Sequence, residues 1–202
     1  MKMNDIISYL DFLFPNAHCE LNYSSDYELL IAVMLSAQTT DKRVNQVTDI
    51  LFKKYNSIES LANADVLDIE NIIKPIGTYH VKAKNVILIA KQLKQKPICN
   101  DRTYLESLSG VGRKTANVVL AELYNEPTLA VDTHISRIAK RLGLADPDDT
   151  PLEVEKKLMA VLPNDQINKL HHQLIFFGRY HCKAIKPECS NCRLKKYCNS
   201  FK

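Results

Sequence analysis

Apolar residues recur along this chain at the 3.6-residue period of an α-helix nearly from end to end, and no stretch alternates like a half-buried strand. Residues 27–35, Tyr-Glu-Leu-Leu-Ile-Ala-Val-Met-Leu, are apolar on all sides, which predicts a helix buried in the middle of a bundle. Thr40-Asp41 is placed to cap the next helix, which carries Val44, Val47 and Leu51 inward at i, i+3, i+7. Asp65 caps a short helix with Val66, Ile69, Ile72 and Ile73 inward, and Pro75 and Gly77 stop it. A long helical pattern covers 79–94, and Pro97 and Asn100-Asp101 break it. A short helix, a glycine turn and a helix from about Arg113 to Tyr124 follow, then helices at about 133–142, 151–161 and 165–178. The fold class is all-α.

Composition narrows the field only slightly. A chain of 202 residues buries a proper core as one large domain or two small ones. Apolar content of 46% and charged content of 25% are those of a soluble globular protein. No apolar run approaches the roughly 20 residues that span a bilayer, so no membrane partner is expected. The net charge of +4 is mild, but its distribution is not. From Arg179 to Lys202 seven Lys or Arg residues stand against one acid, Glu188. That tail is a candidate footprint for a polyanion, with a solvated basic tail as the plain alternative.

The same tail holds four of the six cysteines, Cys182, Cys189, Cys192 and Cys198, spaced C-x6-C-x2-C-x5-C. Four thiolates on one short segment can surround a metal centre, and this segment has too few apolar residues to fold by burial alone. Disulfides are the competing reading. The N-terminus, Met-Lys-Met-Asn-Asp, runs into a short amphipathic stretch rather than a secretory signal, so a reduced, cytoplasmic setting and a metal are expected. Spacing alone leaves zinc and an iron–sulfur cluster both open.

Residues 105–117 read Leu-Glu-Ser-Leu-Ser-Gly-Val-Gly-Arg-Lys-Thr-Ala-Asn, a helix–hairpin–helix pattern. Gly110 and Gly112 can adopt positive φ and let backbone N–H groups at the start of the second helix approach a phosphate. A plain tight turn between packed helices explains the same pattern. Ala116, Val119, Leu120 and Leu123 define the core face of the second helix, and Lys114 lies opposite, in line with Val118 and Ala121. A lysine above small apolar groups reads as facing a cleft, where desolvation and the helix N-terminus favour a nucleophilic amine. An ordinary phosphate-binding lysine is the alternative. Asp132, in Val-Asp-Thr-His, is placed as an N-cap, and the same carboxylate can stabilise a developing cation. His134 sits behind it or faces a phosphate.

Taken together, Gly-Val-Gly-Arg-Lys-Thr-Ala-Asn-Val-Val, Val-Asp-Thr-His-Ile, the cysteine set and residues 28–41 resemble the endonuclease III family over nearly the whole chain. The resemblance implies a two-domain helix–hairpin–helix DNA glycosylase fold. Residues 20–127 would be a six-helix barrel with the hairpin at about 102–125, and 1–19 with 128–202 would hold a [4Fe-4S] cluster on the four C-terminal cysteines. It implies a base-excision-repair glycosylase and AP lyase for oxidised pyrimidines, a monomer acting on double-stranded DNA with such lesions or abasic sites, at the nucleoid. Lys114 would attack the sugar C1′ and form a Schiff base, with Asp132 assisting. Gln38 would fill the gap left by the extruded base. Thr78 and Tyr79, with Gly110, Val111, Gly112 and Arg113 of the hairpin and Lys183 and Lys186 of the tail, would contact DNA. Two departures stand out: Ser109 replaces the family's proline, and Thr78 stands where leucine is frequent and would wedge the duplex. An adenine glycosylase acting at oxidised-guanine mismatches shares the hairpin, the aspartate and the cysteines but lacks the lysine of Lys114. A non-enzymatic DNA-binding protein would need neither Lys114 nor Asp132.

Overall fold

The computed structural model describes residues 2–201, and every regular element among them is helical. The chain forms two compact units, Glu20–Tyr124 and a second one built from the residues before Glu20 together with those from Asn125 onward.

The Glu20–Tyr124 unit is organised around α2 (Asp26–Leu35), in which every residue from Leu29 to Leu35 is buried. α3 (Asp41–Lys54) starts at Thr40, whose side chain accepts from Arg43 N–H, and turns Val44, Val47 and Leu51 inward. A five-residue α4 (Ile58–Ala62), closed by reciprocal Ser57–Ser60 capping, and α5 (Val66–Ile73), capped by Asp65, lie against the long α6 (Tyr79–Gln95). α7 (Arg102–Ser107) and α8 (Arg113–Tyr124) form the hairpin, and α8 packs on α2.

The second unit joins α1 (Lys2–Leu13) to α9 (Thr133–Arg141), α10 (Pro151–Met159) and α11 (Ile167–Phe176) around a core that includes Ile6, Leu10, Ile135, Leu158, Leu170 and Phe177. The pattern read as one helix over 165–178 is divided: a 3₁₀ turn at Asn164–Gln166 precedes α11, and a π-helical turn at Phe177–His181 follows it. Beyond that turn the chain makes only short 3₁₀ turns. Among the described residues after His181, Leu194 alone is fully buried. Full burial of one such side chain supplies only about 1.5–3 kcal/mol, so polar ties matter in this segment. Tyr9 donates to the Asn191 carbonyl at 3.2 Å, and Asp5 accepts from Lys196 at 2.8 Å and Tyr197 at 2.6 Å. The Arg193 guanidinium lies over the Phe12 ring at 4.3 Å.

Candidate functional site

The hairpin is tied at both ends and braced from below. Asp101 caps α7 by accepting from Tyr104 N–H at 3.2 Å. Gly110 takes φ 74, and a side chain there would collide with the Asn85 amide as well as strain the backbone. Gly112 does not use that freedom: it is not in the left-handed region, and a Cβ on it would meet nothing within 4 Å. Its missing side chain serves open approach rather than conformation. Val111 is buried beneath the turn. Its side chain is only 5% exposed, and its N–H donates to the Leu108 carbonyl at 3.0 Å, so it anchors the turn instead of presenting a donor. Ser109 gains what a proline cannot make: its N–H donates to Gln92 Oε1 at 3.0 Å and its hydroxyl to Asn85 Oδ1 at 3.3 Å. Two side chains of α6 thus hold the hairpin from within.

Arg113 and Lys114 open α8 on exposed positions. The desolvated setting expected for Lys114 is therefore not present, because its partners in line, Val118 and Ala121, lie lower on the helix and leave the ammonium outside. What remains is the helix start, where the orphan N–H groups of the first turn and the positive end of the dipole converge.

Two turns of the same unit hold non-glycine residues in the left-handed region. Gln38, exposed in the turn after α2, has φ 60, and Thr78, exposed before α6, has φ 57. Such geometry costs of order 1–2 kcal/mol at a residue with a Cβ. Half-buried Tyr79 lies beside His80, their ring centroids 4.1 Å apart and their planes tilted by 36°. Behind both turns lies a residue the sequence reading passed over. Lys82 is 4% exposed, and its ammonium donates to the Leu35 carbonyl at 3.0 Å and the Ala37 carbonyl at 2.7 Å. Burial holds its pKa below that of an ordinary lysine. The signal was there in register: Lys82 falls on the same stripe as Ala83, Val86, Ile89 and Leu93.

In the other unit Asp132 is the N-cap of α9, its Oδ1 accepting from Ile135 N–H at 2.8 Å, and it is half-buried. One helical turn on, Arg137 donates to the Gly178 carbonyl at 2.9 Å and the Cys182 carbonyl at 3.0 Å, and its guanidinium lies 3.3 Å from His134 Nδ1. His134 is thereby held against Arg137. Burial, with the neighbouring Arg141 charge, pulls the Arg137 pKa down.

All four tail cysteines line one cavity of about 110 Å³, closed by Arg141, Leu142, Phe177 and His181 among others. Among the described residues no three His, Cys, Asp or Glu side chains converge on a point where they could hold a single metal ion. Arg141 donates to Cys182 Sγ at 3.3 Å and to the Lys183 carbonyl at 2.8 Å. Burial raises the Cys192 pKa, and the other three sulfurs push it the same way. Four thiolates around one small space require a strongly positive centre, and the donor set fits a polynuclear iron–sulfur group. Of the tail lysines, Lys183 is half-buried and paired with Glu188 at 3.0 Å, whereas Lys186 is exposed with φ 51. Lys202 lies outside the described residues. No helix among the described residues is long and apolar enough to cross a membrane.

A braced hairpin and a four-cysteine tail within an all-helical two-unit chain define a class. The family model described as "HhH-GPD superfamily base excision DNA repair protein" matches residues 31–164. The endonuclease III of Bacillus subtilis is 47% identical over 189 residues, 92% of this chain and 86% of that protein. Two solved structures, a non-covalent endonuclease III–DNA complex and a trapped endonuclease III–DNA covalent intermediate, superpose with TM-scores of 0.95 and 0.94 at 44% identity. They cover 100% of this chain and 96% and 97% of those chains. The chain belongs to the endonuclease III family: it is a base-excision-repair enzyme, a DNA N-glycosylase and AP lyase.

Proposed function

We propose that this enzyme excises oxidised pyrimidines from double-stranded DNA and then nicks the abasic strand through a Schiff base on Lys114. The observation that carries the reading is the position of Lys114, exposed in the first turn of α8 immediately after the braced hairpin. The hairpin places backbone donors and the α8 dipole at a phosphate without reading sequence. Stacked duplex hides the glycosidic bond, so the damaged nucleotide must be extruded, at a cost of a few kcal/mol that is smallest for a weakly paired lesion. Gln38 fills the vacated space, and Thr78 and Tyr79 press on the strand beside it.

The Lys114 amine bonds to C1′ as the C1′–base bond breaks, and the base departs carrying the bonding electron pair and gaining a proton. Asp132, whose carboxylate is fixed in place as the cap of α9, balances positive charge that develops on the sugar. Ring opening gives an iminium at C1′. Loss of a proton from C2′ expels the 3′-phosphate, and water then releases Lys114 from the sugar fragment. Cys182, Cys189, Cys192 and Cys198 hold a [4Fe-4S] cluster that fixes the tail and takes no part in these bonds. The tail then presents Lys186 to the phosphates, with Lys183 contributing once released from Glu188. The active form is a monomer, cytoplasmic and associated with the nucleoid.

Borohydride reduces such an iminium to a stable amine, so wild-type enzyme should become covalently linked to a duplex bearing one oxidised pyrimidine. Lys114→Ala should give no linked product. A wild-type protein that fails to trap on every oxidised-pyrimidine and abasic duplex sinks the proposal.

A further inference from the structure

Helix α6 carries at one residue the connection between the two left-handed turns. The Lys82 backbone N–H donates to the Thr78 carbonyl at 3.1 Å, and its side chain reaches through the core to the Leu35 and Ala37 carbonyls. Ala37 immediately precedes Gln38. The turn is closed on its other side by the Ser36 hydroxyl, which donates to the Val33 carbonyl at 2.8 Å, and by Thr39 N–H, which donates to the Ser36 carbonyl at 3.2 Å. Both Lys82 acceptors are neutral backbone groups at the negative end of α2, which suits an ammonium but leaves its burial costly. A methionine would fill the same volume without that cost, so packing alone gives no reason for a charge here. A point donor that grips the Leu35 and Ala37 carbonyls together does give one.

We infer that Lys82 is a positioning residue that holds the Gln38 turn in its left-handed form and at a fixed distance from the Thr78 turn, so that both meet a distorted duplex already arranged. The inference rests on the gap-filling reading of Gln38. Lys82 touches no DNA itself. Its effect is confined to duplexes that are opened at a lesion, because undamaged duplex is held through the hairpin.

A double-mutant cycle tests this in the intact, cluster-containing protein. Binding is measured by fluorescence anisotropy on a duplex with one tetrahydrofuran abasic analogue, which cannot be cleaved, and on the same duplex undamaged. Lys82→Met should weaken binding to the abasic-analogue duplex by about tenfold, the order expected when a strained turn loses its preorganisation, and leave the undamaged duplex unchanged. Gln38→Ala should produce a similar loss, and the double variant should be no worse than Gln38→Ala alone. If Lys82→Met does not fold, Lys82→Gln, whose shorter side chain cannot grip both carbonyls, supports the same cycle. Losses that multiply in the double variant, or an equal loss on both duplexes, overturn the inference and leave the gap-filling reading intact. A Gln38→Ala variant that binds like wild type overturns that reading, and the inference with it.

Discussion

Asp132 combines two demands on one carboxylate, and a substitution separates them. Asparagine caps a helix about as well as aspartate, so Asp132→Asn should change stability by no more than about 0.5 kcal/mol. It removes the negative charge, and glycosylase turnover should fall by roughly 10²–10⁴-fold, the range for a lost electrostatic or acid–base group. Thermal melting and single-turnover base release check the two halves; near-normal turnover would reduce Asp132 to a cap. At this scale the sequence was legible where chemistry and position agree. Asp132, Thr40 and Asp65 stand before helical patterns and cap them in the structure. It misled where a side chain's length decides. Lys114 was aligned with small apolar residues yet stays in solvent, while Lys82 lies on an apolar stripe and is buried to its ammonium. Periodicity fixes which way a Cβ points, not how far a lysine reaches.

Charged ties on the surface set an acid limit. Asp5, Asp11 and Asp68 all have carboxyl pKa values held below the ordinary one, by hydrogen bonds to Lys196, Lys169 and Lys54 respectively. A carboxylate depressed in the fold contributes stability above its unfolded pKa of about 3.9 and loses it as pH falls through the folded value. Stability should therefore drop below about pH 4, and Asp5→Asn should flatten part of that acid limb. Chemical denaturation at stepped pH measures the slope; an unchanged slope in Asp5→Asn would remove that residue from the account.

Among the elements, the hairpin glycines make opposite predictions. Gly110→Ala forces a Cβ onto φ 74 against Asn85 and should cost about 1–2 kcal/mol of stability. Gly112→Ala meets open space and should melt like wild type, yet weaken binding to any duplex by obstructing the phosphate approach. If Gly112→Ala binds normally, that approach lies elsewhere. The helix–turn–helix here was readable because Pro97, Asn100-Asp101 and the paired glycines punctuate it. Two elements were not. Helix α4 is five residues long, too short for a period to show, although Ser57 marks its start. The π-helical turn at Phe177–His181, which brings Cys182 N–H to the Phe177 carbonyl at 2.6 Å, continues a helical pattern with no break in hydropathy. An inserted residue in a helix changes direction, and hydropathy does not record direction.

For the whole molecule, the tail is held by a handful of polar ties and, on the proposed function, by a cluster on its cysteines. Removing that group with a chelator and oxidant should expose residues 182–201 to proteolysis, while the Glu20–Tyr124 unit, with its own buried helix α2, keeps its helical signal. Limited digestion followed by mass spectrometry checks this; an intact tail after complete loss of visible absorbance would contradict it. The order of helices was visible in the sequence, but the pairing of the first with the last came only through family resemblance, since periodicity carries no information about distant partners.

That pairing has a consequence for how the chain comes off the ribosome. Asp11 bonds Lys169 at 2.5 Å and Asp5 bonds Lys196, so α1 is translated well before the partners that satisfy it. The whole Glu20–Tyr124 unit is synthesised in the interval and, having its core within one continuous segment, can close beforehand. Until α9, α10 and α11 emerge, the apolar side of α1, with Ile6 and Leu10, has no permanent cover. The nascent chain thus presents one amphipathic helix to solvent through the synthesis of the whole Glu20–Tyr124 unit.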